Sequence, residues 1–226
     1  MKRLILKKLV IISQKNEEAR TIEFDDRLTV ITGDNPSGET INRTGKSLVM
    51  KSIYYSLGAK LKKYTTNWDS LQISTIVTFL YDGIKYELYR DRNSFIIRSD
   101  DEVKFVASIS ELKKFYVDFF EFYLKMPIKK DDENSVYAYP GAIFMPFYID
   151  QDKGWSGSWD SFSDVFTGKW KPEILLYHMG VRTREYYDLL DEKVELENEQ
   201  KENKRQLKTY EAVIKKHTEK YKDYLD

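Results

Sequence analysis

The chain has 226 residues, enough for one sizeable core and an extension. Its 37 basic and 37 acidic residues balance, so nucleic-acid binding would have to depend on a local patch or a partner. The absence of cysteine excludes a disulfide framework and cysteine metal sites, and two histidines exclude a histidine-rich metal site. No apolar stretch is long enough to cross a bilayer, and Lys7 and Lys8 interrupt the first apolar run too early for a signal peptide. We therefore expect a cytoplasmic protein without a membrane segment.

Strand patterns dominate the first half of the chain. Apolar, β-branched runs predict strands at 4–12, 20–24 and 28–32, and we expect the last to be buried. A meander follows at 73–81, 85–90 and 94–98, with turns at Asp82-Gly83 and at 91–93, and 104–107 adds an edge strand. The apolar run 142–149 also predicts a buried strand, and its Pro146 suggests an edge or a bulge.

Helical patterns lie between these runs. The first begins after Ser47 and ends near Gly58, a residue suited to a helix C-terminus. Ser108 and Glu111 form a capping box for a helix that continues to Phe122. A short helix is predicted from Pro172 to Met179, where Gly180 breaks it.

The segment 33–48 has the pattern of a phosphate-binding loop. It closes on Gly45-Lys46-Ser47 between a predicted strand and a predicted helix, which is the context that a P-loop needs. Counting back, Thr40 takes the place of the first glycine of the motif. The overlapping register 33–40 puts Glu39, which would repel phosphate, at the lysine position. We therefore take 40–47 as the phosphate-contacting register and 33–39 as an insertion, against the alternative of a polar loop that contains Gly-Lys-Ser by chance.

The chemistry of such a loop explains its residue types. Backbone N–H groups and the positive end of the following helix hold the β-phosphate. Lys46 neutralises β- and γ-phosphate charge, and the Ser47 hydroxyl ligates Mg²⁺.

A basic, aromatic stretch follows the predicted helix. Residues 60–70 include Lys60, Lys62 and Lys63 beside Tyr64 and Trp68. This stretch is either a solvated connection or a patch that faces DNA.

The composition changes at residue 184. From there to 226 the chain has neither proline nor glycine and is dominated by Glu, Lys, Leu and Tyr. A heptad seam passes through Leu189, Leu196, Leu207, Ile214 and other positions, including His217, where we expect packing rather than metal binding. So narrow an apolar stripe predicts one arm of a coiled coil. We therefore predict two parts of the chain, a globular lobe at 1–183 and a coiled-coil arm that begins at 184–226.

This order of elements resembles the N-terminal lobe of SMC-like ATPases, which include the SMC and RecN proteins and the ATPase partner of the double-strand-break repair nuclease. Residues 40–47 look like the family's G-x-N-x-x-G-K-[ST], with Asn42 matching and the first glycine lost. Residues 148–151 are similar to its Q-loop, which ends in Gln151. The lengthened loop also resembles SMC-like subunits of bacterial defence operons of the Lamassu type. The fold implied is α/β (α+β): an ABC-type P-loop NTPase head lobe with an antiparallel meander, then a long coiled-coil helix.

The resemblance also implies ligands and roles. The cofactors are ATP and Mg²⁺, the catalytic residues are Lys46 and Gln151, and the metal contacts are Ser47 and Gln151. The implied nucleotide-binding residues are Asn42, Arg43, Thr44, Gly45, Lys46, Ser47 and Leu48. Asp150 would be an alternative Walker B residue, but no second carboxylate follows it directly, so the Q-loop interpretation is preferred.

The family's signature motif, Walker B carboxylates and general base belong to a C-terminal lobe, and nothing in this sequence substitutes for them. The chain is then a truncation or one half of a split head, which hydrolyses little alone. The partners implied are that lobe, a second head in an ATP-bridged homodimer, DNA, and a nuclease or effector subunit. The setting is DNA repair or defence. Two alternatives stay open: a non-catalytic coiled-coil adaptor with a degenerate P-loop, and a small P-loop kinase, against which the antiparallel meander argues.

Overall fold

An antiparallel sheet forms the centre of the molecule. In this computed structural model the residues described are 2–32, 45–61, 71–127, 135–149, 159, 161–164 and 170–222. The sheet has six strands in the order β2-β1-β3-β4-β5-β6. They are β1 (Leu4–Ser13), β2 (Glu18–Glu23), β3 (Ile73–Tyr81), β4 (Ile84–Asp91), β5 (Ser94–Arg98) and β6 (Val103–Val106). A separate two-stranded ladder pairs β7 (Lys125–Pro127) with β8 (Ser135–Tyr137).

The turn residues explain the meander. Tyr81 pairs with Ile84, so Asp82 and Gly83 form a two-residue hairpin turn. Both have a left-handed backbone, with φ of 51° and 83°. This is the pattern of a turn whose twist matches that of the strands. The turn predicted at Asp82-Gly83 is confirmed.

Five α-helices lie within the described residues. They are α1 (Lys46–Ser56), α2 (Ile109–Phe119), α3 (Pro140–Phe144), α4 (Trp170–His178) and α5 (Arg184–Tyr221). The predicted capping box is present at α2. The Ser108 hydroxyl accepts from the Glu111 N–H at 3.2 Å, and the Glu111 carboxylate accepts from the Ala107 N–H at 3.1 Å. The helix ends at Phe119 rather than Phe122, although Phe122 is still buried.

The core lies between the sheet and helices α1 and α2. Alternate strand residues enter it, among them Leu9, Val77, Leu88 and Phe95, all at most 1 % exposed. Ile53 from α1, Leu57 just after it, and Leu112 and Tyr116 from α2 also belong to it. The Tyr116 hydroxyl donates to the Leu57 carbonyl at 3.0 Å, which connects the two helices. Burying each large apolar side chain contributes about 1.5–3 kcal/mol, so this layer fixes the position of α1.

The strand predicted at 28–32 is not formed. These residues have no regular secondary structure, and Leu28 and Val30 are 76 % and 71 % exposed. The segment is attached through Thr29, whose hydroxyl accepts from the Asp25 N–H at 2.8 Å. A strand needs a ladder partner, and no described strand pairs with these residues. The prediction of a buried strand is therefore wrong, although the residue pattern is strand-like.

The strand predicted at 142–149 is also wrong. Residues Pro140–Phe144 form α3, and Met145–Phe147 continue it as a 3₁₀ turn. A short apolar run has no period that separates a buried strand from a buried helix. Pro140 lies in the first turn of α3, where proline favours a helix, and Gly141, Ala142, Phe144 and Met145 are buried.

Helix α5 contacts the rest of the described chain only near its start. Tyr187 is its single buried residue among those described, and Asp191 forms an ion pair with Lys125. The Arg184 guanidinium lies over the Tyr123 ring at 4.7 Å. Every side chain from residue 198 to 222 is exposed. The architecture is therefore a mixed α/β domain with an antiparallel sheet and a long C-terminal helix.

Candidate nucleotide-binding site

The N-terminus of α1 has the features of an anion site. Gly45 caps the helix with φ 77° and ψ 5°, a left-handed conformation that favours glycine. Its carbonyl accepts the first helical hydrogen bond, from the Val49 N–H at 3.1 Å. Lys46 is the first helical residue, and the first turn contains no acidic side chain. The N–H groups and the helix dipole at this end therefore favour a negative ligand.

A cleft of about 370 Å³ lies beside this helix start. Lys46, Ser47 and Met50 line one side of it, and residues 147–149 line another. Thr29 and Ile31 complete its walls. Ile149 is two residues ahead of Gln151. The fold thus brings the Gly-Lys-Ser segment and the segment leading to Gln151 to one cleft, although they lie far apart in the sequence.

Tyr54 fixes the distance between the two sides of the cleft. Its hydroxyl donates to the Phe147 carbonyl at 3.3 Å, and its ring lies 4.5 Å from the Tyr148 ring, centroid to centroid. Burial raises the pKa of Tyr54 to about 12, so the hydroxyl keeps its proton and remains a donor at neutral pH. The Ser161 hydroxyl donates to the Tyr148 carbonyl at 3.4 Å and so holds the 147–149 side of the cleft.

The predicted site residues divide into two groups. Lys46 and Ser47 are half-buried at the cleft, while Gly45 and Leu48 are exposed beside it. Lys60 is exposed near the opposite end of α1. The remaining predicted residues lie outside the described part of the chain: Asn42, Arg43, Thr44, Lys62, Lys63, Asp150 and Gln151.

The residues that line the cleft suit a magnesium nucleotide. A glycine in the left-handed region, a lysine and a serine at a helix N-terminus supply donors for phosphate and one oxygen for Mg²⁺. No carboxylate is among the described residues of the cleft to repel the phosphates. No cluster of three or more acidic or histidine side chains elsewhere in the described ranges could hold a metal ion.

Sequence reasoning missed Asp164 and Arg90. The Asp164 Oδ2 atom accepts from the Lys60 N–H at 3.2 Å. A Cβ at Gly141 would lie 2.3 Å from Oδ1, so only glycine allows this approach. Burial raises the pKa of Asp164 to about 6, and backbone N–H groups and the Arg90 charge oppose that rise. No sequence pattern marks Asp164, whereas the alternation along β4 would have placed Arg90 on the buried face beside Leu88.

Comparison with known proteins identifies the family of the chain. The family model described as AAA domain matches residues 3–226. The chain belongs to this family, which is a family of SMC-like ATPases.

The chain is also similar to two proteins named Lamassu protein LmuB. That of Bacillus cereus (strain VD014) is 29 % identical over 202 residues, which are 87 % of this chain and 34 % of the relative. That of Bacillus sp. (strain NCIM 5461 / CCTCC AB 2011126 / NIO-1130) is 31 % identical over 148 residues, 65 % of this chain and 24 % of the relative. The matched regions thus span between a quarter and a third of these relatives.

The described helices include no candidate for a membrane span. None of them combines the length and the apolar character that crossing a bilayer needs.

Proposed function

We propose that residues 1–183 are the ATP-binding lobe of an ABC-type head and that residues 184–226 begin its coiled-coil arm. The observation that supports this best is the cleft in which Lys46 and Ser47 face residues 147–149. A P-loop ATPase needs its phosphate-binding lysine and its water-orienting glutamine at one phosphate. The tether from Tyr54 to Phe147 supplies the fixed spacing that this geometry requires.

Each residue of the site has a proposed role. The N–H groups at the start of α1, with Asn42, Arg43, Thr44, Gly45 and Leu48, cradle the phosphates of ATP. Lys46 compensates β- and γ-phosphate charge, and Ser47 and Gln151 bind Mg²⁺. Gln151 also orients the attacking water. Mg²⁺ held by these residues would stabilise the negative charge on the phosphates during phosphoryl transfer.

The head is completed by a second lobe. The exposed apolar segment 28–31 has strand character without a strand partner among the described residues, so a strand of a C-terminal lobe would bury it. That lobe also supplies the signature motif, the Walker B carboxylates and the general base. ATP then bridges two heads, which makes hydrolysis dependent on dimerisation.

The arm transmits this head–head association. Helix α5 exposes Leu189, Leu196, Leu207 and Ile214, each between 57 % and 64 %, along one heptad seam. Burying such a stripe requires a partner helix. Opening or closing of paired arms would couple the nucleotide state to other subunits.

The proposed setting is defence against foreign DNA, or DNA repair, in the cytoplasm. The similarity to Lamassu protein LmuB supports the defence role. DNA would contact Lys60, Lys62 and Lys63, and a nuclease or effector subunit would act on it. In a neutral chain such contacts depend on a local patch, so binding should weaken as salt rises.

An ATP titration tests this function against its main alternative. The main alternative is a non-catalytic adaptor, which is favoured by Thr40 in place of the first glycine of the motif. Such an adaptor would bind no ATP with or without a C-terminal lobe. The ATPase lobe should bind ATP weakly alone and at least about tenfold more tightly when the C-terminal lobe is added. Turnover per head should then rise with protein concentration. Rapid hydrolysis by the dilute chain alone would contradict both the ATPase lobe and the adaptor, and would favour a small kinase-like enzyme.

A further inference from the structure

A second cavity, of about 560 Å³, lies at the other end of α1. Tyr55 and Lys60 line it from the end of that helix, and Arg90 and Arg92 line it from β4 and the following turn. Tyr139, just ahead of α3, forms another wall. Because the 11 residues of α1 span about 16 Å, this cavity is separate from the cleft at Lys46. The proposed ATPase mechanism does not use it.

Arg90 is the buried cation of this cavity, only 5 % exposed. Its Nε donates to the Arg92 carbonyl at 2.7 Å, and its Nη1 donates to the carbonyls of Tyr55 and Ala59. The guanidinium lies 3.7 Å from the centroid of the Tyr55 ring. Its Nη2 has no hydrogen bond to any described residue. These contacts cap the end of α1 and leave a rigidly held donor group on the cavity wall.

Further cations surround the entrance. Arg92 and Lys60 are exposed there, and the Lys113 ammonium lies 4.1 Å from the centroid of the Tyr139 ring. Among the described residues of the lining, the one carboxylate is Asp164. Its Oδ2 accepts from the Lys60 N–H, and its Oδ1 is buried beside Gly141 without a hydrogen-bond partner among the described residues. The lining thus contains three cationic side chains, Lys60, Arg90 and Arg92, and one carboxylate. This excess of positive charge makes the cavity favourable for an anion.

We propose that this cavity binds the phosphate of a nucleotide. The Nη2 group of Arg90 can donate a charge-assisted hydrogen bond to a phosphate oxygen, which is stronger than a bond between neutral groups. The volume suits one nucleotide, and the half-exposed Tyr139 ring offers a face for its base. Two sources share this chemistry: a free nucleoside monophosphate and the 5′-terminal nucleotide of a DNA strand. Only the DNA terminus rests on the proposed function of the protein, because it would extend the DNA-binding surface proposed at Lys60.

Binding measurements on the full chain test the inference. The probes are deoxyadenosine monophosphate and one short DNA duplex in 5′-phosphorylated and 5′-hydroxyl forms. Arg92→Glu and Lys60→Glu should each weaken binding of the preferred probe about tenfold. Arg98→Glu is the matched control, because Arg98 is exposed at the opposite end of β5 and should leave binding unchanged. Preference for the phosphorylated duplex identifies the DNA end as the ligand, and binding of the monophosphate alone identifies the free nucleotide.

Two further variants separate this site from the ATP site. Lys46→Ala should keep probe binding, and loss of binding in that variant would assign the probes to the P-loop and overturn the inference. Arg90→Lys keeps the charge but loses the Nη2 donor, because the lysine ammonium would be held by the same backbone carbonyls. It should therefore weaken binding if the variant melts like the parent. If Arg90→Lys unfolds, the binding data for Arg92→Glu and Lys60→Glu test the proposal instead. Binding of neither probe, or equal loss in Arg98→Glu, would also overturn the proposal.

Discussion

Replacement of Asp164 by asparagine should stabilise the protein at neutral pH. Burial raises the pKa of this carboxyl from 3.8 to about 6. The folded state therefore holds the proton more tightly than the unfolded state. Once both states have lost the proton, the free energy of unfolding is lower than it is for the protonated protein. Stability falls as pH rises from about 4 to about 6 and is level above that range. The side-chain amide of the Asp164→Asn variant would keep an oxygen for the Lys60 N–H without a charge to desolvate.

The magnitude follows from the shift. A difference of about 2 pKa units corresponds to about 3 kcal/mol at pH 7.5, and to about half of that at pH 5, where the carboxyl is mostly protonated when folded. Urea unfolding of parent and Asp164→Asn at both pH values measures this difference. Asp118→Asn on the exposed side of α2 is the control and should change stability little at either pH. A variant that is less stable than the parent at pH 7.5 and equal to it at pH 5 would show that the carboxylate is stabilised in the fold, and would refute the reasoning.

Three further predictions concern the proposed ATPase. Gln151→Ala should spare ATP binding in the complete head but slow hydrolysis at least about tenfold, because the water loses its orienting group; a parental rate would make Gln151 an ordinary loop residue. Leu207→Glu with Ile214→Glu should leave the melting temperature of this chain within about 2 °C, since both side chains are exposed, yet weaken arm pairing in the complete protein; a large loss of head stability would mean that this part of α5 packs on the lobe. Replacing Lys60, Lys62 and Lys63 by Glu should lower DNA affinity and flatten its salt dependence, and unchanged affinity would move the contact surface elsewhere.

Local signals in the sequence were sufficient for much of the sheet and for two helix boundaries. Strand alternation and the Asp82-Gly83 turn specify the meander because each strand pairs with its neighbour in sequence. Ser108 and Glu111 specify the start of α2 through hydrogen bonds within one helical turn. Gly58, with φ 91°, follows the end of α1 as predicted.

The failures have long-range causes. Whether residues 28–32 form a strand depends on a partner strand, which local sequence does not reveal. The run at 142–149 is apolar throughout, so its periodicity could not distinguish α3 from a strand. The contact of Asp164 with Lys60 joins positions 104 residues apart and depends on a glycine at 141, and no local motif encodes it. The same limit applies to the cleft, because Tyr54 and Phe147 meet only once the core has formed.

The ATP affinity of Lys46→Ala in the complete head is the most direct test of the central claim. Lys46 begins α1 at the cleft, and its ammonium is the main compensation proposed for β- and γ-phosphate charge. Lys114→Ala, on the exposed side of α2, controls for loss of a helical lysine, and melting curves of both variants check that they fold. The account predicts that Lys46→Ala loses measurable ATP binding while keeping its fold. Parental ATP affinity in a folded Lys46→Ala protein would contradict the assignment of this cleft as the nucleotide site.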